Sequence, residues 1–156
     1  MSLFNAACIS ILLYGCESWL LSTKSTSKLD VFARTCYRIM LGINQKKDRL
    51  TNVELYKRAG NQKPVHEIIR ERQLKFTGHC LRLQTEEPAN LYMLYEYKIN
   101  VKPKLGRPRH TFLKQISNYL SRDAGPSLRV EEIVRNAKNK SDWKLLIAAP
   151  NPSVRS

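Results

Sequence analysis

One stretch decides the fold of this chain: Leu74-Lys75-Phe76-Thr77-Gly78-His79-Cys80-Leu81-Arg82. Apolar and basic residues interleave along it at helical spacing, and the sequence predicts one long helix over residues 65–84, opened by Pro64. Gly78 lies in its middle, where Ala would favour a helix by about 1 kcal/mol. The glycine therefore predicts a close crossing with another helix at this point.

Six further segments carry apolar residues at helical spacing, and together they predict an all-α fold. The expected architecture is an irregular bundle of about five to seven helices. The other helices are expected over residues 3–20, 27–41, 52–59, 112–123, 130–137 and 142–147. Within residues 27–41, the expected buried stripe consists of Leu29, Phe32, Cys36, Ile39 and Met40. Apolar residues alternate near residues 95–101, where one short strand is an alternative.

Changes in composition divide the chain into four parts. Residues 1–84 are predicted to form a helical domain, and residues 111–148 a small C-terminal helical region. Residues 85–110 are predicted to be a linker rich in tyrosine and basic residues, because proline and glycine interrupt its second half. Residues 149–156 are predicted to be a disordered tail.

The charge of the chain indicates a polyanionic partner. The sequence has 27 Lys and Arg against 13 Asp and Glu, a formal net charge of +14. Such an excess raises self-repulsion unless a partner neutralises it. Nucleic acid is the first candidate, an anionic membrane surface the second, and a purely solubilising charge the third.

Eleven residues are candidate phosphate contacts. They lie on helix flanks, in the connector 43–50 or in the proline-containing segment 102–110, and they are Arg34, Arg38, Lys46, Lys47, Arg70, Lys75, His79, Arg82, Lys104, Arg107 and Arg109. For the pair Arg34 and Arg38, a solvated face is an equal alternative. Gly106–Arg109 resembles a minor-groove hook, with a basic tether as the alternative. The helix over residues 27–41, the basic connector 43–50 and the short helix 52–59 are also the order of a helix-turn-helix, but the second helix is short for entering a groove, and plain helical packing is favoured.

No catalytic or metal-binding constellation is evident, so we predict neither enzymatic activity of this chain alone nor a cofactor. The sequence lacks a phosphate-binding glycine loop, a nucleophile motif and paired carboxylates able to hold Mg²⁺. The four cysteines and three histidines do not have zinc-site spacing. His79 is therefore expected to be packed or to contact phosphate. Cys8, Cys36 and Cys80 are expected to be buried thiols in a reducing compartment, which predicts an intracellular protein, nuclear or cytoplasmic.

Residues 3–21 are apolar enough to suggest a signal peptide or a membrane span. They lack the positive charge and cleavage site of a signal peptide. Polar residues also leave them short of about 18 consecutive apolar positions. We predict a helix packed on more than one face, and no membrane partner.

Five blocks, taken in order, resemble the segment that follows the polymerase core in non-LTR (LINE-type) retrotransposon reverse transcriptases. The blocks are Leu3–Asn5 with Leu12–Trp19, Arg38–Ile43, Leu74–Arg82, Gly106–Arg109 leading into an aromatic helix, and Trp143. The resemblance implies that residues 1–84 are thumb-like. It also implies that the endonuclease and the catalytic aspartates of the palm would precede Met1.

The resemblance implies binding of template RNA or target DNA, mainly through phosphates. A reverse-transcriptase core is then a second expected partner. Two alternatives remain open: a structural module that docks on a polymerase core supplied by another chain, and a degenerate retroelement remnant.

Overall fold

The computed structural model describes residues 2–95, 110–121 and 128–148. Over these residues the chain is helical and contains no strand, which confirms the all-α fold. The described helices are α1 (residues 2–12), α2 (Thr23–Met40), α3 (Gln45–Asp48), α4 (Asn52–Arg58), α5 (Val65–Arg82), α6 (Pro88–Met93), α7 (Phe112–Leu120), α8 (Val130–Lys138) and α9 (Lys140–Ala148).

These nine helices exceed the expected five to seven because the sequence did not predict α3 and α6. The two helices have only four and six residues, too few to show a helical period. The alternative strand near residues 95–101 lies outside the described residues, except for Tyr95.

The first helix is shorter and less buried than expected. It consists of Ser2–Phe4, a π-helical segment Asn5–Ile9, and Ser10–Leu12. Gly15 then adopts a φ of +67°, which favours glycine and ends the helix well before residue 20. No atom approaches the position that a Gly15 Cβ would take, so conformation and not packing requires this glycine.

Several apolar side chains of this segment face outward. Leu3, Ile11 and Tyr14 are largely exposed, and so is Cys8. The prediction that Cys8 is buried was therefore wrong, and no described residue covers the outward side of α1, which was predicted to pack on more than one face. Cys80 is buried as expected.

The chain forms two compact units. The first unit comprises residues 1–16 and 21–70, and the second comprises residues 17–20 and 71–156. The division falls within α5 and not at residue 84. Residues 88–95 of the predicted linker contribute to the second unit, where Asn90 and Leu94 are buried.

Aromatic side chains connect three helices in the core of the first unit. Tyr37 on α2 packs edge-on against Phe4 of α1 and Tyr56 of α4, with ring centroids 5.6 and 6.1 Å apart. Leu55 and Ile69 are also buried in this unit. The rings therefore hold short helices that could not stay folded in isolation.

Helix α2 buries a different face from the one that its sequence predicts. Its buried residues are Asp30, Ala33 and Tyr37, whereas Ile39 is 74% exposed and Phe32 47% exposed. Val31 and Met40 are exposed as well, whereas Leu29 and Cys36 of the expected stripe are half-buried.

The second unit has a continuous apolar core between the C-terminal part of α5 and helices α6–α9. Its buried members are Leu74, Leu81, Leu94, Leu113, Ile116, Leu120, Ile133, Ala137, Trp143 and Ile147. At 2% exposure, Trp143 is the largest of them. The stretch Leu74–Arg82 thus supplies one wall of this core, as expected for the segment that organises the fold.

Candidate nucleic-acid interface

Gly78 is the point where α9 crosses α5. A Cβ at Gly78 would lie 2.6 Å from Cδ1 and 2.8 Å from Cε2 of Trp143. The indole Nε1 donates a hydrogen bond to the carbonyl oxygen of Leu74, 2.9 Å away. The predicted close crossing is confirmed, and its partner is an indole ring that occupies the space of the missing side chain.

Buried amides fix the neighbouring turn of α5. Gln73 Nε2 donates to the carbonyl oxygen of Trp19 at 2.8 Å, and Gln115 Nε2 donates to Gln73 Oε1 at 2.7 Å. Both glutamines are buried, so these bonds satisfy groups that would otherwise be costly to bury. The two hydrogen bonds and the indole contact together set the rotation of α5 about its axis.

That rotation leaves a row of basic residues on the surface. Lys75, His79 and Arg82 are all exposed, and their spacing of four and three residues places them along one face of α5. We call these three residues the α5 basic row. Glu71 lies one turn before Lys75 and moderates the positive charge at that end. Since His79 is exposed, its predicted packing role was wrong, and phosphate contact remains a prediction.

Arg82 also has a structural partner. Its Nη1 donates to the carbonyl oxygen of Ala137 at 2.9 Å, near the end of α8. The last carbonyls of a helix have no partner within the helix, and a cation near them is stabilising. Arg82 thus connects α5 to the C-terminus of α8 and still lies at the surface.

A cleft of about 500 Å³ adjoins Arg82. Its lining residues are Leu81, Arg82, Leu83, Thr85, Asn90, Leu94, Val134 and Lys138, all in the second unit. Asn90 is buried, and its Nδ2 donates to the carbonyl oxygens of Cys80 (3.1 Å) and Leu83 (3.4 Å) at the end of α5. Its Oδ1 is buried without a hydrogen-bond partner among the described residues.

The other predicted phosphate contacts differ in how exposed their side chains are. In the first unit, Lys46 and Lys47 are exposed on α3. Arg34 is half-buried, and Arg38 Nη2 donates to Asn52 Oδ1 at 3.1 Å. Arg70 is only 5% exposed, which disfavours a phosphate contact.

The remaining three predicted contacts, Lys104, Arg107 and Arg109, lie outside the described residues. So does the hook-like segment that contains two of them. Within the described ranges, the α5 basic row groups three predicted contacts on one helix face, whereas α2 and α3 carry two predicted contacts each.

The sequence did not reveal a buried pair of acid and base in the first unit. His66 Nδ1 and Asp30 Oδ2 are 2.6 Å apart, and Asp30 Oδ1 accepts a hydrogen bond from the His66 backbone at 3.2 Å. The two residues are 36 positions apart, so no local spacing could have indicated the pair. Among the residues described, no group of three or more His, Cys, Asp or Glu could hold a metal ion.

Comparisons of the chain with protein-family profiles, curated proteins and solved structures find no significant match. None of the helices in the described ranges combines the length and the apolar character needed to cross a membrane.

Proposed function

We propose that this chain is a nucleic-acid-binding helical module from the C-terminal region of a retroelement reverse transcriptase. The observation that carries the binding proposal is the α5 basic row. Hydrogen bonds from Trp143 to Leu74 and from Gln73 to Trp19 hold α5 in place. Lys75, His79 and Arg82 are therefore presented on a rigid helix. Such a row binds phosphates with little loss of conformational freedom.

The retroelement part of the proposal rests on the resemblance of the five sequence blocks. Two of these blocks, Leu74–Arg82 and the one at Trp143, meet at the crossing of α5 and α9. A shared packing role explains why both blocks would occur in one protein. This contact supports the assignment of the two blocks to a single structural unit.

Titration of fluorescently labelled single-stranded RNA, single-stranded DNA and duplex DNA into the full chain tests the binding proposal. If six to ten contacts of this chain neutralise phosphates, affinity falls about 10³- to 10⁵-fold between 50 and 200 mM salt. Absence of binding at the lower salt concentration, or binding that does not depend on salt, contradicts the proposal. Competition between RNA and DNA then shows which of the two nucleic acids the chain prefers.

A second candidate function is a structural module that docks on a polymerase core supplied by another chain. The observation in its favour is the exposed apolar surface of the first unit, which includes Ile11, Tyr14, Phe32 and Ile39. Exposed apolar patches of this kind commonly mark protein interfaces. This alternative predicts that the isolated chain does not bind nucleic acid even at low salt, so the same titration separates the two functions.

A further inference from the structure

We infer that the cleft beside Arg82 accepts one unstacked nucleotide of a bound single strand. The inference rests on the proposed nucleic-acid binding and extends it, because phosphate contacts alone do not distinguish single strands from duplexes. The cleft measures about 500 Å³, within the range of small-molecule sites. It lies next to the α5 basic row and shares Arg82 with it.

The walls of the cleft suit the body of a nucleobase. Leu81, Leu83, Leu94 and Val134 line the cleft, and Leu83 and Val134 are the more exposed of the four. A base that leaves its stack loses apolar contact, and such walls restore part of it. A fully hydrated ligand would gain little from the same surface.

The polar atoms of the cleft fit the rest of the nucleotide. Asn90 lines the cleft, and its covered Oδ1 lacks a hydrogen-bond donor among the described residues; every common base carries an N–H group that could supply one if the amide turned towards the cleft. Because all the bases share this feature, one acceptor would not select among them. Lys138 and Arg82 are both exposed and line the cleft, where they could bind the adjoining phosphate.

The test compares two strands of equal charge, a ten-residue oligo-dT and a ten-residue strand of abasic sites. Both offer the same phosphates, so only contacts to the base can separate them. We expect the full chain to bind oligo-dT about tenfold more tightly, the effect of one modest base contact. Val134→Phe fills the cleft and should reduce oligo-dT affinity to that of the abasic strand.

Leu145→Phe is the matched control, because Leu145 is exposed on α9 and does not line the cleft. This variant should keep the tenfold preference. Equal wild-type affinity for the two strands would overturn the inference while leaving the proposed function intact. A preference that persists in a folded Val134→Phe protein would also overturn it. If neither strand binds while RNA or duplex DNA does, the inference alone fails; if no nucleic acid binds at low salt, the proposed function fails as well.

A second measurement does not depend on a variant. A strand with one central 2-aminopurine should become brighter on binding, because this base is quenched while it is stacked and emits when it is separated. An unchanged emission at saturating protein would contradict insertion of a base, even if Val134→Phe proved unable to fold.

Discussion

Gly78 shows how one missing side chain can organise two helices. The Trp143 indole lies where a Cβ would project, and its Nε1 bonds to the carbonyl oxygen of Leu74. That carbonyl lies four residues before Gly78, where the helix already uses it as an acceptor. The indole N–H therefore shares the Leu74 carbonyl oxygen with the Gly78 N–H, and it can approach this oxygen because Gly78 has no side chain.

Gly78→Ala should destabilise the chain by about 2–4 kcal/mol, although Ala is the better helix former. The added methyl group would displace the indole and weaken its hydrogen bond. Urea unfolding measures the loss, and near-UV circular dichroism should show a changed Trp143 environment. In a Trp143→Phe background the same substitution should cost less, because the smaller ring has no N–H to align. An unchanged cost in that background would contradict the proposed coupling.

Asp30 and His66 form a partly buried polar link between α2 and α5 in the first unit. Asp30→Asn should destabilise the chain by about 1–3 kcal/mol, because it weakens two hydrogen bonds to His66 in a buried setting. Thermal or urea unfolding is the measurement. Glu54→Gln is the control: its ion pair with Arg58 is exposed, so its loss should change stability by less than about 0.5 kcal/mol. Equal losses in the free energy of unfolding for the two variants would show that burial does not strengthen the contact between Asp30 and His66.

Tyr37 makes stability sensitive to alkaline pH. Burial raises the pKa of the Tyr37 phenol above its ordinary value of 10.0, and the neighbouring Tyr56 adds to the shift. The folded state thus retains a proton that the unfolded state loses above pH 10, so stability is complete below that pH and falls as pH rises further. Tyr37→Phe should reduce the slope of this alkaline loss, as measured by urea midpoints between pH 8 and pH 11. A slope identical to that of the wild type would contradict the assignment.

At the scale of elements, some helix ends followed sequence rules, whereas α1 ends eight residues before the expected residue 20 and α2 begins four residues before the expected residue 27. Thr51 Oγ1 accepts a hydrogen bond from the Glu54 backbone at 3.3 Å and begins α4, and a threonine three residues before a glutamate is the sequence signature of such a cap. Gly42 has a φ of +65° just after α2, as expected for a C-terminal glycine. These signals act over three or four residues, so they can be recognised without knowledge of the fold.

Thr51→Ala should destabilise the chain by about 1 kcal/mol, because α4 has only seven residues and depends on its cap. Thr35→Ala is a suitable control, since the Thr35 hydroxyl only bonds back to the Val31 carbonyl on the exposed side of α2. Urea denaturation of the two variants makes the comparison. If Thr35→Ala lowers the free energy of unfolding as much as Thr51→Ala does, loss of the helix cap does not explain the destabilisation by Thr51→Ala.

The face that α2 buries was also predicted incorrectly. The apolar stripe of α2 predicted burial of Phe32 and Ile39, but Asp30 and Tyr37 are buried instead. Residues distant in sequence determine which face of α2 is buried. Phe4 and Tyr56 contact Tyr37, and His66 contacts Asp30. Helical periodicity indicates that a face is apolar, but it does not determine which neighbour covers it.

At the scale of the whole molecule, the positive charge is shared equally. The first unit has eleven Lys and Arg against four Asp and Glu, and the second has sixteen against nine, which gives each a formal charge of +7. Net charge by itself therefore does not indicate which unit binds a polyanion. Substitutions that each remove one charge can locate the contact.

Lys75→Ala should reduce the dependence of log affinity on log salt by about 0.9 for duplex DNA, the effect of one lost phosphate contact. Lys114→Ala removes the same charge from an exposed position on α7 outside the α5 basic row, and it should leave the slope unchanged. Anisotropy titrations at four salt concentrations measure both slopes. Equal reductions in the two variants would mean that general charge, and not the row on α5, drives binding.

The sequence by itself determined the all-α class, the principal helices, several of their caps and the close crossing at Gly78. Each depends on propensity, periodicity or steric limits that act within a few residues. Only the tertiary structure decided that Trp143 fills the space at Gly78, that Asp30 meets His66, and which face of α2 is covered. Those pairings join residues 19 to 69 positions apart, and their energies depend on burial, which exists only once distant segments have packed.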